Sequence, residues 1–141
     1  MSSGFPLPVP DEVTEPWWAA TRERRLLLQT CRRCRSSQHY PRAVCISCGH
    51  DDLGWVQSAG AGVVDSFTVV HRAPVSGVTV PYVIARVRLD DGPVLLTRIE
   101  GADEAELGCD RPVTLGWSPL PDGHHLPIFH LADAPDPRQE N

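Results

Sequence analysis

Lysine is absent from this 141-residue chain; all thirteen basic residues are arginine. With no lysine amine the chain can form no imine, which excludes a lysine-type aldolase and any pyridoxal-phosphate enzyme acting on its own. A phosphate-binding P-loop is excluded for the same reason, because its lysine is missing. Long apolar runs are absent as well. Runs such as Leu26 to Leu28 and Tyr82 to Ala85 are only three or four residues, far short of a membrane span. Met1 to Pro10 carries no basic segment followed by an apolar one, so no secretory signal is expected. Positive charge is in short supply: the net charge is −5, with residues 1–57 at +1 and residues 58–141 at −6. Aromatics are only 6% of the chain. A nucleic-acid binder usually has a basic face and stacking platforms, and the second half offers neither beyond Phe67, Tyr82, Trp117 and Phe129. These absences lead us to expect a cytoplasmic protein with no membrane and no nucleic-acid partner.

Proline, by contrast, is abundant. Four of the fourteen fall in the first sixteen residues, at Pro6, Pro8, Pro10 and Pro16. Prolines at this spacing block helix and favour extended chain, so residues 1–13 read as an arm lying on another surface. Thr14 is placed to cap a helix with Pro16 in its first turn. No breaker follows, and the expected helix runs from Trp17 to Leu28. Its adjacent indoles, Trp17 and Trp18, are either core or a surface for a partner, and a small protein has little core to accept both. After Trp55 the texture changes to strands. Residues 62–72 are rich in Val, Phe and Thr, and residues 81–89 alternate Arg86 and Arg88 with Ala85, Val87 and Leu89. Asp90-Asp91-Gly92 marks a hairpin into residues 93–100. A helical turn at 103–107 and strands at 112–117 and 126–131 follow, the last two joined by a turn at 121–123. Five strands with a helical piece before the fourth predict a small barrel of the OB type. The expected division is an arm and helix (1–28), a zinc ribbon (29–56), the barrel (57–133) and a loose tail (134–141).

Cysteine supplies the strongest motif. Cys31-x-x-Cys34 and Cys45-x-x-Cys48 form two pairs, each able to give two thiolates from one tight turn, as tetrahedral zinc requires. Gly49 suits the second turn, whereas Arg35 holds the same place in the first. The same ligand set also binds iron. Disulfides fit poorly in a reducing compartment. Four cysteines close the coordination sphere, which makes the metal structural and leaves no ligand role for His39 or His50. Cys109 has no partner in sequence. Nothing else forms a catalytic constellation. GxSxG, HExxH and GxGxxG are all missing, and His71, at a strand end, is more naturally a hydrogen-bonding group than a base. The composition therefore favours a helper over a self-sufficient enzyme.

A two-tryptophan helix, a four-cysteine ribbon and a barrel, in that order, resemble the DUF35 proteins, acyl-CoA-associated OB-fold proteins with a rubredoxin-like zinc ribbon. The likeness rests on Trp17-Trp18, Leu28-Gln29-x-Cys31-x-x-Cys34, Pro41-Arg42-x-x-Cys45-x-x-Cys48 and Leu53-x-Trp55. It continues through Gly60-x-Gly62, Thr68-Val69-Val70-His71, Pro81-Tyr82-Val83 and Gly92-Pro93-x-Leu95-Leu96-Thr97. The resemblance implies a mainly β protein with structural zinc that serves as a non-catalytic subunit. It would bind a thiolase-like enzyme of the lipid-transfer-protein type, in a heterotetramer, acting on acyl-CoA thioesters. Retro-aldol cleavage in steroid side-chain degradation is the first reading. A thiolase-type acyltransferase complex and a nucleic-acid-binding module are the alternatives. Within that likeness Trp17 and Trp18 would meet the partner, Arg72, Arg86, Arg88 and Arg98 would meet coenzyme A through their bidentate forks, and His71 and Tyr82 would lie near the substrate.

Overall fold

A computed structural model of the chain describes residues 5–132. The expectations for the first four residues and for the tail lie outside the described residues. Residues 5–10 run extended along the barrel, with the Phe5 ring 6.4 Å from the Tyr82 ring. Helix α1 spans Glu15–Arg22 and carries Pro in its first turn. Thr14 occupies the cap position but its hydroxyl caps nothing in the helix. Asp11 organises the entry instead: its carboxylate accepts from the Val13 and Thr14 amides, both at 2.9 Å, and its own amide donates to the Thr14 hydroxyl.

The helix ends six residues before the expected Leu28. Arg24 adopts φ 57, the Arg24 amide donates to the Thr21 carbonyl, and the Arg25 amide reaches back to the Ala20 carbonyl. This is a Schellman ending, with an arginine in the left-handed position that glycine usually fills. Leu26 then leads into a strand that Leu27 and Leu28 begin. All three are buried, because that strand lies between the helix and the rest of the core.

Strand β1 (Leu27–Cys31) is the centre of a three-stranded sheet with β2 (Ser37–Gln38) and β3 (Leu53–Gln57) in the order β2-β1-β3, both pairings antiparallel. The closed barrel follows: β4 (Ala61–Val70), β5 (Tyr82–Leu89), β6 (Val94–Ile99), β7 (Pro112–Pro119) and β8 (His125–Leu131), in the order β4-β5-β6-β8-β7. A 3-10 turn at Glu104–Glu106 precedes β7. One parallel pair, Ile99 with Phe129, joins β6 to β8, and antiparallel pairing of β4 with β7 completes the closure. β4 pairs with β7 on one edge and β5 on the other, and a bulge at Asp65 shifts its register against β5 and bends it. Gly62 sits where β4 approaches β5 so closely that a Cβ would meet the Arg88 carbonyl. The alternation read in β5 is present, with Ala85, Val87 and Leu89 inside and Arg86 and Arg88 outside.

One cluster of buried apolar residues runs through all three parts: Trp17 and Trp18 from the helix, Leu26 to Leu28 from the ribbon edge, and Val64, Val87, Leu95 and Phe129 inside the barrel. The helix is fastened to the β7–β8 hairpin by polar contacts. His125 donates through Nδ1 to the Thr21 carbonyl at 2.9 Å, and Arg22 donates to the Asp122 carbonyl at 3.0 Å. The first of these adds a second donor to a last-turn carbonyl that the Arg24 amide already meets. No helix among the described residues is long and apolar enough to cross a membrane.

Candidate metal centre and apolar groove

The ribbon's two turns repeat the same backbone pattern. In the first, the Arg35 amide donates to the Cys31 carbonyl and the Cys31 amide to the Ser36 carbonyl. In the second, the Gly49 amide donates to the Cys45 carbonyl and the Cys45 amide to the His50 carbonyl. Arg35 (φ 66) and Gly49 (φ 80) take the same left-handed conformation, so the arginine does what glycine does in the other turn, with some steric cost. The four sulfurs converge. Cys31 and Cys48 are 3.7 Å apart, Cys34 and Cys45 are 3.5 Å apart, and all four lie within 4.8 Å of one another. Zinc–sulfur bonds of about 2.3 Å in a tetrahedron place sulfurs about 3.8 Å apart, close to the spacing of these two pairs, so the set suits that ion.

Charge points the same way. Hydrogen bonds from the Ser36 hydroxyl and amide hold the Cys34 thiol down to about 6. Cys48 behaves oppositely. The His50 amide pulls it down, but burial and the three other thiols overcome that and push it up to about 11. The protein alone does not sustain four thiolates side by side, and a divalent cation supplies the charge that does. The zinc ribbon is thus a structural metal site of four cysteines, closed to substrate. His50 supports it from outside, with Nδ1 3.3 Å from the Cys48 sulfur, and His39 is not a ligand.

Two residues to which the sequence assigned no role hold the second turn to β1. Gln29, 5% exposed, accepts through Oε1 from the Arg42 amide at 2.8 Å and from Gln38 Nε2 at 2.6 Å, and donates to the Arg42 carbonyl at 2.8 Å. Gln38 also donates to the Val44 carbonyl and accepts from the Ile46 amide. Their signal was a pair of glutamines at strand positions facing inward, which composition alone does not reveal.

The other predicted residues separate. Trp17 and Trp18 are 3% and 9% exposed, which corrects the expectation of a partner-facing surface: the chain covers both indoles itself. They stand nearly perpendicular at 4.7 Å, and Trp18 Nε1 donates to the Tyr40 hydroxyl at 2.8 Å. Arg88 pairs with Asp65 at 2.9 Å and with Asp110 at 3.5 Å, and Arg86 lies 3.6 Å from Asp65. These two therefore have carboxylate partners on the barrel's outer surface. Arg72 is exposed. His71 is exposed, 3.6 Å from Glu104. Cys109 is exposed and belongs to no cluster. Asp122 and His124 form a hydrogen-bonded pair at 2.8 Å, but among the described residues no hydroxyl or thiol is hydrogen-bonded to that imidazole.

Tyr82 and Arg98 come together elsewhere, in a groove of about 720 Å³ outside the barrel. The arm, the helix, the ribbon and the outer faces of β5 and β6 all contribute walls, including Leu7, Trp17, His39, Tyr82, Leu96 and Arg98. The Arg98 guanidinium lies 5.3 Å from the Phe5 ring centre and 4.8 Å from that of Tyr82. Burial pushes the His39 imidazole down to about 4, so it is neutral at pH 7.

A closed four-thiolate ribbon joined through one core to an OB-type barrel is the class of protein that the fold and the metal centre define. Comparison with known proteins is more specific. The ChsH2 rubredoxin-like zinc-ribbon model matches residues 18–54 and the ChsH2 C-terminal OB-fold model matches residues 55–118. A solved structure described as an Ltp2-ChsH2(DUF35) aldolase is similar at 33% identity and a TM-score of 0.83, covering 90% of this chain and 100% of that one. The chain belongs to the ChsH2 (DUF35) family. A DUF35 protein from Sulfolobus solfataricus shares the fold at 17% identity and a TM-score of 0.63, covering 86% of each chain. Among curated relatives, a probable enoyl-CoA hydratase alpha subunit from Thermomonospora curvata is 35% identical over 82% of this chain. A 3-oxo-4,17-pregnadiene-20-carboxyl-CoA hydratase alpha subunit from Mycobacterium tuberculosis is 41% identical over 50% of this chain. The chain spans 36% and 22% of the length of these two relatives. It spans 49% of a DUF35 domain-containing scaffold protein from Pyrococcus furiosus, 34% identical over 47% of this chain.

Proposed function

We propose that this chain is a non-catalytic subunit that binds and completes a thiolase-fold enzyme acting on acyl-CoA thioesters. The reaction served is retro-aldol cleavage of a steroid β-hydroxyacyl-CoA to a ketone and a short acyl-CoA. One observation carries the reading: the likeness to the Ltp2-ChsH2(DUF35) aldolase chain extends over that chain's whole length. The site chemistry supports it. Among the described residues the one cysteine–histidine contact, Cys48 with His50, belongs to the metal centre, so acid, base and oxyanion stabilisation fall to the partner. The missing lysines agree, because a thioester carbonyl accepts the developing enolate charge without an imine. In this reading exposed Arg72 is the arginine best placed to meet a coenzyme A phosphate, since Arg86 and Arg88 already face carboxylates.

A second reading rests on the two hydratase relatives: the same module serving a hydratase that acts on the same class of thioester. Co-expression with a thiolase-like protein of the lipid-transfer-protein type separates the two. The aldolase reading expects co-purification in fixed stoichiometry and release of ketone from a steroid β-hydroxyacyl-CoA only when both chains are present. A chain that stays alone, or a partner equally active without it, would sink the proposal. Water addition to the enoyl-CoA by a complex with a hydratase chain would establish the second reading.

A further inference from the structure

The two metal turns display a patch that neither the ion nor the barrel accounts for. Residues 24–50 carry six arginines and no acidic residue, and a divalent ion with four thiolates offsets only part of that charge. Arg33 and Arg35 flank Cys34 in the first turn, and Val44 and Ile46 flank Cys45 in the second. The Cys34 and Cys45 sulfurs are 3.5 Å apart, so the two sets stand side by side, with Arg42 at the entry to the second turn. All five residues are exposed, Val44 at 46% and Ile46 at 64%. Among the described residues no carboxylate lies within 4 Å of the Arg33, Arg35 or Arg42 guanidinium, although neighbouring Arg32 has Asp52.

The backbone beneath the two aliphatic side chains is hydrogen-bonded inward. The Val44 carbonyl accepts from Gln38 Nε2, and the Ile46 amide donates to Gln38 Oε1. Between them the Cys45 amide donates to the His50 carbonyl and the Cys45 carbonyl accepts from the Gly49 amide. A loop that enters hydrocarbon must satisfy its backbone internally, and this tip does so while holding two aliphatic side chains in water. We propose that the second turn inserts Val44 and Ile46 into the face of an anionic lipid bilayer, with Arg33, Arg35 and Arg42 meeting the headgroup phosphates. Buried apolar area and attraction to anionic lipid are the two contributions that hold a peripheral protein on such a surface. The inward-bonded backbone favours lipid as the occupant, because a protein or a nucleic acid offers polar groups to a loop and hydrocarbon offers none. Residues 58–141, at −6, are repelled by the same surface and face away from it. The contact is peripheral, and it revises the expectation of no membrane partner, which rested on the lack of a spanning run. It holds whichever enzyme the chain serves.

Flotation of the zinc-loaded full chain tests the contact, with vesicles of phosphatidylcholine alone or with about one third phosphatidylglycerol, at about 0.1 M salt. The parent should partition roughly tenfold or more in favour of the anionic vesicles, and about 0.5 M salt should remove most of that difference. Arg33→Gln and Arg42→Gln should each weaken partition about fivefold, as expected for one charge near an anionic surface. Ile46→Ser should weaken it by a similar factor of about five, through lost apolar burial and with the charge unchanged. All three variants keep the four metal ligands, and thermal melting beside the parent checks their fold. A parent that floats with neither vesicle, or an Ile46→Ser variant that floats as well as the parent, would overturn the proposal. So would tighter binding of a DNA duplex than of the anionic vesicles, which would assign the arginines to nucleic acid. The vesicle and duplex comparisons use the unaltered protein, so they decide the matter even if a variant fails to fold.

Discussion

Replacing Gln29 tests whether the metal ribbon is held by its metal alone or by the metal and a side-chain splint together. Gln29→Ala removes three hydrogen bonds, two to the Arg42 backbone and one to Gln38, from a side chain that is 5% exposed. Each is worth about 1 kcal/mol net, and a backbone amide and carbonyl left buried without partners add to that, so the loss should be about 3–4 kcal/mol. For a chain of this size that corresponds to a fall of roughly 10–15 °C in melting temperature. Gln38→Ala also removes three bonds: the shared one and those to Val44 and Ile46. The two replacements share one bond, so the double variant should cost less than the sum by about 1–2 kcal/mol. The assay is thermal unfolding of zinc-loaded protein beside zinc transfer to a chromogenic chelator. Transfer should be faster in both single variants, because the second turn loses its anchor to β1 while all four thiolates remain. Gln29→Leu keeps most of the volume and should behave like Gln29→Ala. A melting temperature within about 2 °C of the parent, unchanged zinc transfer, or strict additivity would refute the splint.

Two further outcomes follow from the same geometry. Cys45→Ser, or exhaustive chelation of the parent, should lower bound zinc from one equivalent toward none and strip hydrogen-exchange protection from residues 27–57, with β4 to β8 losing less; protection unchanged after metal loss would show that the ribbon has a core of its own. His39 is held neutral, from an ordinary 6.5 to about 4, by burial. The stability this contributes is complete above pH 6.5 and is lost as the pH falls from 6.5 toward 4, amounting to about 3 kcal/mol. Urea unfolding of parent and His39→Phe across that range should show an acid-side loss larger in the parent by up to about 3 kcal/mol, beyond the loss that weakening of the zinc site causes in both, and parallel curves would contradict it.

Much of the site was legible because its chemistry is local in sequence. Cys31, Cys34, Cys45 and Cys48 announce two turns by spacing alone, and a turn of this kind fixes its own hydrogen bonds within five residues. The barrel was legible for a similar reason, since alternation at Ala85 to Leu89 and the Asp90-Asp91-Gly92 turn act within one hairpin. The helix end was not. Its left-handed residue is Arg24, and nothing in an arginine signals a stop that tertiary contacts impose. Leu26 to Leu28 continue a helix as readily as they begin a strand, and their burial on both sides decided it. The tryptophans were misjudged because the core they fill is assembled from the ribbon and the barrel together. The groove was out of reach, being walled by segments as distant in sequence as Phe5 and Ile128.

These dependences give the closed metal centre a wider consequence than holding one short sheet. β1 carries Gln29 and Cys31 on one side of the ribbon and feeds Leu27 and Leu28 into the shared core. The segment between the two cysteine pairs places His39 and Tyr40 against Trp17 at 5.5 and 5.6 Å. Tyr40 in turn accepts the Trp18 hydrogen bond. The ion therefore fixes one wall of the groove through the loop it closes, and the barrel fixes the other through Tyr82 and Arg98. A segment with no core of its own gains a defined shape from four thiolates. That shape positions the indoles, so a metal closed to substrate still sets one side of the groove.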